Sequence, residues 1–314
     1  MIEGTLPAST DLSMNELLAF GFGGLLMLLA VGFPNQLRRS LLRWFGDDPE
    51  PAPSQRALVE FGALTGRIRR LVRPTLLLVP ATEPSFSKLG GDPELPENVT
   101  WPEGREGPRT FLAQIDFAAL PPQSEIDWLP EDGRLFAFYD FEGHGLSDVV
   151  LVHYAVEPSG PPLPAPKGVW RRFPERRVAF QTLTSAPSLD WLGLDASETG
   201  LDENEFESLD RLADAPPSGD VQHRIGGYPN EIQPERMWLS CEHLARGLPE
   251  PAWNEDIPPA IERAAKEWRL LLQIDSDPAL KMNFGDGGRF YVFIRERHAR
   301  RGDFSKTVTL WQTY

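Results

Sequence analysis

Two aspartates, each two residues beyond a glutamine and at the end of an apolar run, are the side chains best placed to do chemistry. They are Asp116 in Phe111-Leu112-Ala113-Gln114-Ile115-Asp116 and Asp275 in Leu270-Leu271-Leu272-Gln273-Ile274-Asp275. In a strand alternate residues share a face, which sets Leu112, Gln114 and Asp116 opposite Phe111, Ala113, Ile115 and Phe117. The same rule sets Leu271, Gln273 and Asp275 opposite Leu270, Leu272 and Ile274. If the two stretches pack about a pseudo-twofold axis, Asp116 and Asp275 approach one another. Paired carboxylates can exchange protons with a substrate or hold a divalent cation. A third carboxylate, Asp286, stands in Gly285-Asp286-Gly287-Gly288, where it could face a ligand together with backbone amides. Gln114, Gln273 and His223 complete the candidate contacts.

Each of these residues also has a structural explanation, and the sequence favours it. An aspartate that ends a strand accepts hydrogen bonds from the following turn. A buried glutamine satisfies backbone groups. Arg134 and Arg289 occupy equivalent places and are available to neutralise the two carboxylates. Asp-Gly-Gly before a strand is a tight turn. Duplicated segments carry their structural devices along with any site, so the carboxylates count as scaffold first and as a hydrolase-type or metal-assisted site second.

Other chemistries find no constellation. The histidines His144, His153, His223, His243 and His298 make no metal-spaced pair. Cys241 and His243 are two apart on an expected helix and would not face one another. Asp195, Ser197, Thr199 and Gly200 open like a calcium loop, but its twelfth position is Phe206 in place of glutamate. Walker and nucleophile-elbow patterns are absent. No cofactor or metal is expected.

The elements that must position these residues form a repeat. Gly133-Arg134-Leu135-Phe136-Ala137-Phe138 follows the first aspartate, and Gly288-Arg289-Phe290-Tyr291-Val292-Phe293 follows the second. A Gly-Gly-x-Pro turn precedes each copy, in Lys88-Leu89-Gly90-Gly91-Asp92-Pro93 and Arg224-Ile225-Gly226-Gly227-Tyr228-Pro229. Three signatures in one order mean an internal duplication within one domain. Alternation predicts strands over Thr75–Val79, Thr110–Phe117, Arg134–Tyr139, Val149–Val156, Val178–Thr184, Arg269–Asp275, Arg289–Arg295 and Lys306–Gln312. Helices are expected over Ser54–Val72, Glu203–Ala213, Pro234–Arg246 and Ile257–Glu267.

Leu17 to Leu37 holds no charged residue and is just long enough to span a bilayer. Glu3, Asp11 and Glu16 precede it and Arg38, Arg39 and Arg43 follow, which puts the chain beyond it in the cytoplasm. A cleaved signal would want a basic start, and a core helix a polar face. The expected organisation is a single-pass cell-membrane anchor in residues 1–46, a stiff linker over 47–53 and a β-rich domain over 54–314. The single cysteine excludes an intramolecular disulfide. The net charge is −15, yet the chain up to Arg73 carries eight arginines against seven carboxylates, so the acidity lies beyond it. Such a surface argues against nucleic acid and would suit a basic protein partner, or solubility alone. The bilayer is the other expected partner.

The set Gly90–Pro96 with Trp101-Pro102, Phe111–Phe117, Leu129–Phe136, His223–Pro229 with Ile232-Gln233, Leu270–Asp277 and Met282–Ile294 resembles the YwqG-like family, bacterial proteins of unknown function. The resemblance covers about Leu76 to the C-terminus and implies a mainly β (α+β), roll-like antiparallel fold with an internal duplication. It carries no established catalytic residues. Phe284 stands where the family pattern usually has Trp, and the apolar N-terminal segment lies outside the family's domain. A membrane-tethered binding or interaction module is therefore expected, with an enzyme using Asp116, Asp275 or Asp286 as the alternative.

Overall fold

The expected strands appear in a computed structural model as part of one antiparallel sheet of ten. The structure describes residues 71–314 except 106, 123–125, 141–149, 157–158, 189–190, 192–200, 206, 208, 210–220, 234 and 253–254. The apolar stretch Leu17–Leu37, the linker and nearly all of the helix expected from Ser54 lie outside the described residues. Among those described, no helix is long and apolar enough to cross a membrane.

In chain order the strands are β1 (Arg73–Pro80), β2 (Lys88–Leu89), β3 (Thr110–Asp116), β4 (Arg134–Tyr139), β5 (Val150–Ala155), β6 (Arg176–Ser185), β7 (Arg224–Gly226), β8 (Trp268–Asp275), β9 (Arg289–Arg295) and β10 (Thr307–Gln312). Their spatial order is β10-β9-β8-β7-β1-β6-β2-β3-β4-β5. β6 joins the two halves, because Arg176 and Arg177 pair with β2 while Val178 onward pairs with β1. β2–β5 and β7–β10 then occupy mirrored places. Their registers match: Lys88 lies opposite Gln114 and Arg224 opposite Gln273, while Asp116 lies opposite Arg134 and Asp275 opposite Arg289.

One face of each half turns toward the other. Ala113, Ile115 and Leu135 share a core with Leu272, Ile274, Phe290 and Val292. Tyr139 of β4 meets Phe290 of β9 with ring centroids 4.9 Å apart, and Tyr154 of β5 meets Phe304, just before β10, at 4.7 Å. The outer faces have separate covers. Phe111, Phe136 and Phe138 pack with Leu95 and Trp101. Leu270, Tyr291, Phe293 and Leu310 pack beneath α1 (Met237–Ala245), which contributes Met237, Trp238, Leu239 and Cys241.

The simple alternation fails at one place in each half, and it is the same place. The register shifts between Phe111 and Ala113 in β3, and between Leu270 and Leu272 in β8. A bulge puts two residues opposite one and resets which face follows. Leu112 and Leu271 consequently join the central core with Ala113 and Leu272, not the face of the glutamine and aspartate.

α1 begins at Met237, later than the expected Pro234, and α2 (Pro259–Ala265) is shorter than its expected span, with Pro259 in the first turn. A four-residue helix α3 (Glu296–Ala299) follows β9. Residues 203–205, 207 and 209 of the expected acidic helix are helical, and Asp202 and Glu205 cap it reciprocally through each other's backbone N–H. The rest of that helix lies outside the described residues.

Candidate functional site

The two glutamines do the same work in each half. Gln114 accepts from the Glu94 N–H at 2.9 Å and donates to the Phe86 carbonyl at 2.8 Å. Gln273 accepts from the Asn230 N–H at 2.9 Å and donates to the Gln222 carbonyl at 3.0 Å. Each fully buried amide thus clamps both ends of the loop that carries its glycine pair. The following aspartate N–H finds Ser87 Oγ in one half and His223 Nδ1 in the other. Gly90, Gly91, Gly226 and Gly227 all have φ between +61° and +75°, which only glycine adopts without strain.

The strand entering each glycine pair carries a buried cation. Lys88 is fully enclosed and donates to the Asp92 carbonyl at 2.5 Å, with Glu175 at 3.1 Å and Glu94 at 3.2 Å. Arg224 takes the matching place and donates to the Tyr228 carbonyl at 3.0 Å and to the Gln222 side chain. These cations hold the turn by its carbonyl in both halves. β2 and β7 are only two and three residues long, so alternation does not reveal them. The signal available was the cation standing two residues before each glycine pair.

The candidate carboxylates do not meet. Ile115 and Ile274 face the shared core, so Asp116 and Asp275 occupy the opposite, outer faces and have no partner in common. Asp116 Oδ1 caps the one-turn helix Phe117–Ala119 through the Ala118 N–H at 3.3 Å. Asp275 is 1% exposed and fully engaged. It accepts from the Gln222 N–H at 2.6 Å, Gln273 Nε2 at 2.9 Å and Arg289 Nε at 3.2 Å. The expected neutralisation therefore holds for Arg289 and fails for Arg134, which forms no ion pair with Asp116 and lies beneath the Phe86 ring. Asp275 also caps no turn. That role passes to Asp277, which accepts from the N–H groups of Ala279 and Leu280. Asp286 is exposed on its turn, where its backbone bonds Thr313 and Tyr314.

His223 bridges two of these residues. Its Nδ1 accepts from the Asp275 N–H, which leaves the proton on Nε2 to point at Asp277 Oδ2, 3.4 Å away. Arg176, at the start of β6, reaches the same oxygen at 2.6 Å and ties the two halves together. The His223 hydrogen bond holds the Asp277 carboxyl down, against the opposing effect of burial and with help from Arg176, so that its pKa falls from 3.8 to about 2. A carboxylate depressed in the folded state stabilises fully above its unfolded pKa and loses that contribution as pH falls toward the folded one. Between pH 4 and pH 2 the protein should therefore lose about 1–2 kcal/mol through this group. Urea unfolding of Asp277→Asn across that range should show a correspondingly flatter acid limb.

The halves differ beside the arginine. Phe86 and Gln222 are matched positions, since each gives its carbonyl to a clamp glutamine. The Phe86 ring lies 5.3 Å from the Arg134 guanidinium and covers it. Gln222 instead turns to Arg224. Beside Arg289 the surface opens into a cavity of about 580 Å3, within the range of ligand pockets. Asp275 and Arg289 form its floor, Val221, Pro278 and Met282 its apolar wall, and Lys281 and Asn283 its rim. Gln114 and Gln273 are 0% exposed and His223 4%, all committed to protein partners. The cavity was not expected from sequence, because it depends on which way two side chains turn.

Among the described residues no three His, Cys, Asp or Glu side chains are grouped as metal ligands. Cys241, on the buried face of α1, is fully enclosed, and burial pushes its thiol pKa well up, which makes it inert.

Residues 87–313 match the model of a family described as Domain of unknown function (DUF1963), and the chain belongs to that family. No curated protein matches it.

Proposed function

We propose that this chain is a YwqG-like binding module, tethered by its N-terminal segment to the inner face of a bacterial membrane and working through the second-half cavity. One observation carries the binding reading. Asp275 is held by three protein donors and Asp116 caps a turn, whereas the rim side chains Lys281 and Asn283 have no polar partner among the described residues. The matched clamps, bulges and cations support an ancient duplication of a roll-like unit. The uncharged stretch from Leu17 to Leu37 and its acidic-before, basic-after flanks support the tether and its orientation. The acidic surface suits a basic protein partner and disfavours nucleic acid.

Native mass spectrometry of the full chain from its own host tests the binding reading. A stoichiometric adduct should be retained, and it should be lost in Lys281→Glu while the fold persists. An adduct indifferent to Lys281 but lost in Asp116→Ala would refute it. Removing residues 1–46 should release the protein from the membrane fraction, and its persistence there would refute the tether.

A further inference from the structure

The geometry points to a carboxylate with a short apolar tail as the ligand of the second-half cavity, its anionic head held at Lys281. This rests on the binding reading above and adds the ligand's class. The Asp275 and Arg289 charges on the floor compensate one another at 3.2 Å, and both side chains are buried. The floor therefore contributes a neutral pair. Lys281 is exposed at the rim, and its ammonium has no hydrogen-bond or ion-pair partner among the described residues. Asn283 beside it is likewise exposed and adds an amide donor. Of the three charged side chains that line the cavity, Asp275 and Arg289 pair with one another, which leaves the Lys281 ammonium to meet an anion. Val221, Pro278 and Met282 supply the wall that an aliphatic tail would cover.

Lys281 is also the one non-glycine residue with positive φ among those described, at +55°. It ends the one-turn helix Pro278–Leu280, and its N–H closes onto the Pro278 carbonyl. Glycine would adopt this conformation with less strain. Strained backbone is retained where the surroundings over-determine it, commonly at ligand sites. The strain also gives a clean variant, since Lys281→Gly removes the ammonium without disturbing the turn.

Ligand-observed NMR on the full 314-residue chain, with hexanoate, hexylamine and 1-hexanol as probes, tests this. Hexanoate should bind at least about fivefold more tightly than either control, as expected for one charge-assisted hydrogen bond. Lys281→Gly should weaken hexanoate by that same factor of at least about five, to the level of hexanol, with no fall in the urea midpoint. Equal binding of the three probes, no binding, or a Lys281→Gly variant that binds hexanoate unchanged would overturn the carboxylate assignment. If those arms fail while a Lys281-dependent adduct persists in native mass spectrometry, the ligand class falls and the binding reading stands. A free-acid tripeptide, Ala-Ala-Leu, compared with its amide separates a peptide C-terminus from a small acid as the source. Preference for the free acid supports the assignment, and indifference to amidation counts against it.

Discussion

Gly227→Ala should destabilise the protein by about 4–5 kcal/mol, combining backbone strain with overpacking at an enclosed turn. The position has φ +69°, and a methyl group there would overlap both Thr75 Oγ1 and Ser185 Oγ. Neither hydroxyl can simply step aside. They hydrogen-bond each other at 2.7 Å across the β1–β6 pair, and Ser185 Oγ also accepts from the Tyr228 N–H at 3.0 Å. Relief of the overlap must break the anchorage of the turn. Gly90 faces the Pro174 carbonyl in the other half, so Gly90→Ala should fail similarly. Gly247 also has positive φ but nothing near its missing Cβ, so Gly247→Ala isolates strain and should cost only about 1 kcal/mol. Urea unfolding of the three variants measures the contrast. A cost for Gly227→Ala no greater than that for Gly247→Ala would mean the packing around the turn is not as described.

Glu242→Gln should cost about 3–4 kcal/mol, because it removes one partner of a buried ion network. Glu242 lies in α1 with its side chain wholly enclosed. It accepts from Trp268 Nε1 at 3.0 Å, Arg295 Nη2 at 2.6 Å and Arg246 Nε at 2.7 Å. Burial alone would raise its pKa, and these three donors outweigh burial and hold it below the ordinary value. An amide keeps the shape but turns two N–H donors toward groups that only donate. It also leaves the Arg295 charge, stacked 4.8 Å from the Trp268 ring, without its counterion. Replacing both as Glu242→Met with Arg295→Met should recover much of the loss, since a buried ion pair exchanged for apolar packing is often near neutral. If the double variant is as unstable as Glu242→Gln, the network contributes more than charge compensation.

How much of this could be read from the chain depends on the length of the signal. β3, β4, β8 and β9 each carry several apolar residues in a row or in alternation, and their positions were legible to within a residue. The repeat was legible because Gly-Gly-x-Pro, Gln-x-Asp and Gly-Arg recur in order, and the glutamine, aspartate and arginine hold matching registers in the two halves. β2 and β7 were hidden because two or three residues containing a buried cation have no hydrophobic period. The bulges at Leu112 and Leu271 were hidden because an inserted residue is invisible to alternation and only shifts its phase. The turn-capping expected of Asp275 falls to Asp277 for a similar reason. Either carboxylate could cap the turn, and only the position of Arg289 decides which one is held as a buried counterion. Glu242 gave no sequence signal at all, since a glutamate on a helix is ordinarily solvated.

The central claim is that the repeated Gln-x-Asp signature is scaffold, leaving binding to the open cavity. A double-mutant cycle on Asp275 and Arg289 tests it most directly, by urea unfolding of Asp275→Ala, Arg289→Ala and the pair. Each single substitution should cost about 3 kcal/mol, and the pair should cost about 1–3 kcal/mol less than their sum, as partners in one buried network do. Asp275→Ala with unchanged or increased stability would contradict the account, because that is the mark of a carboxylate held for chemistry at the expense of the fold.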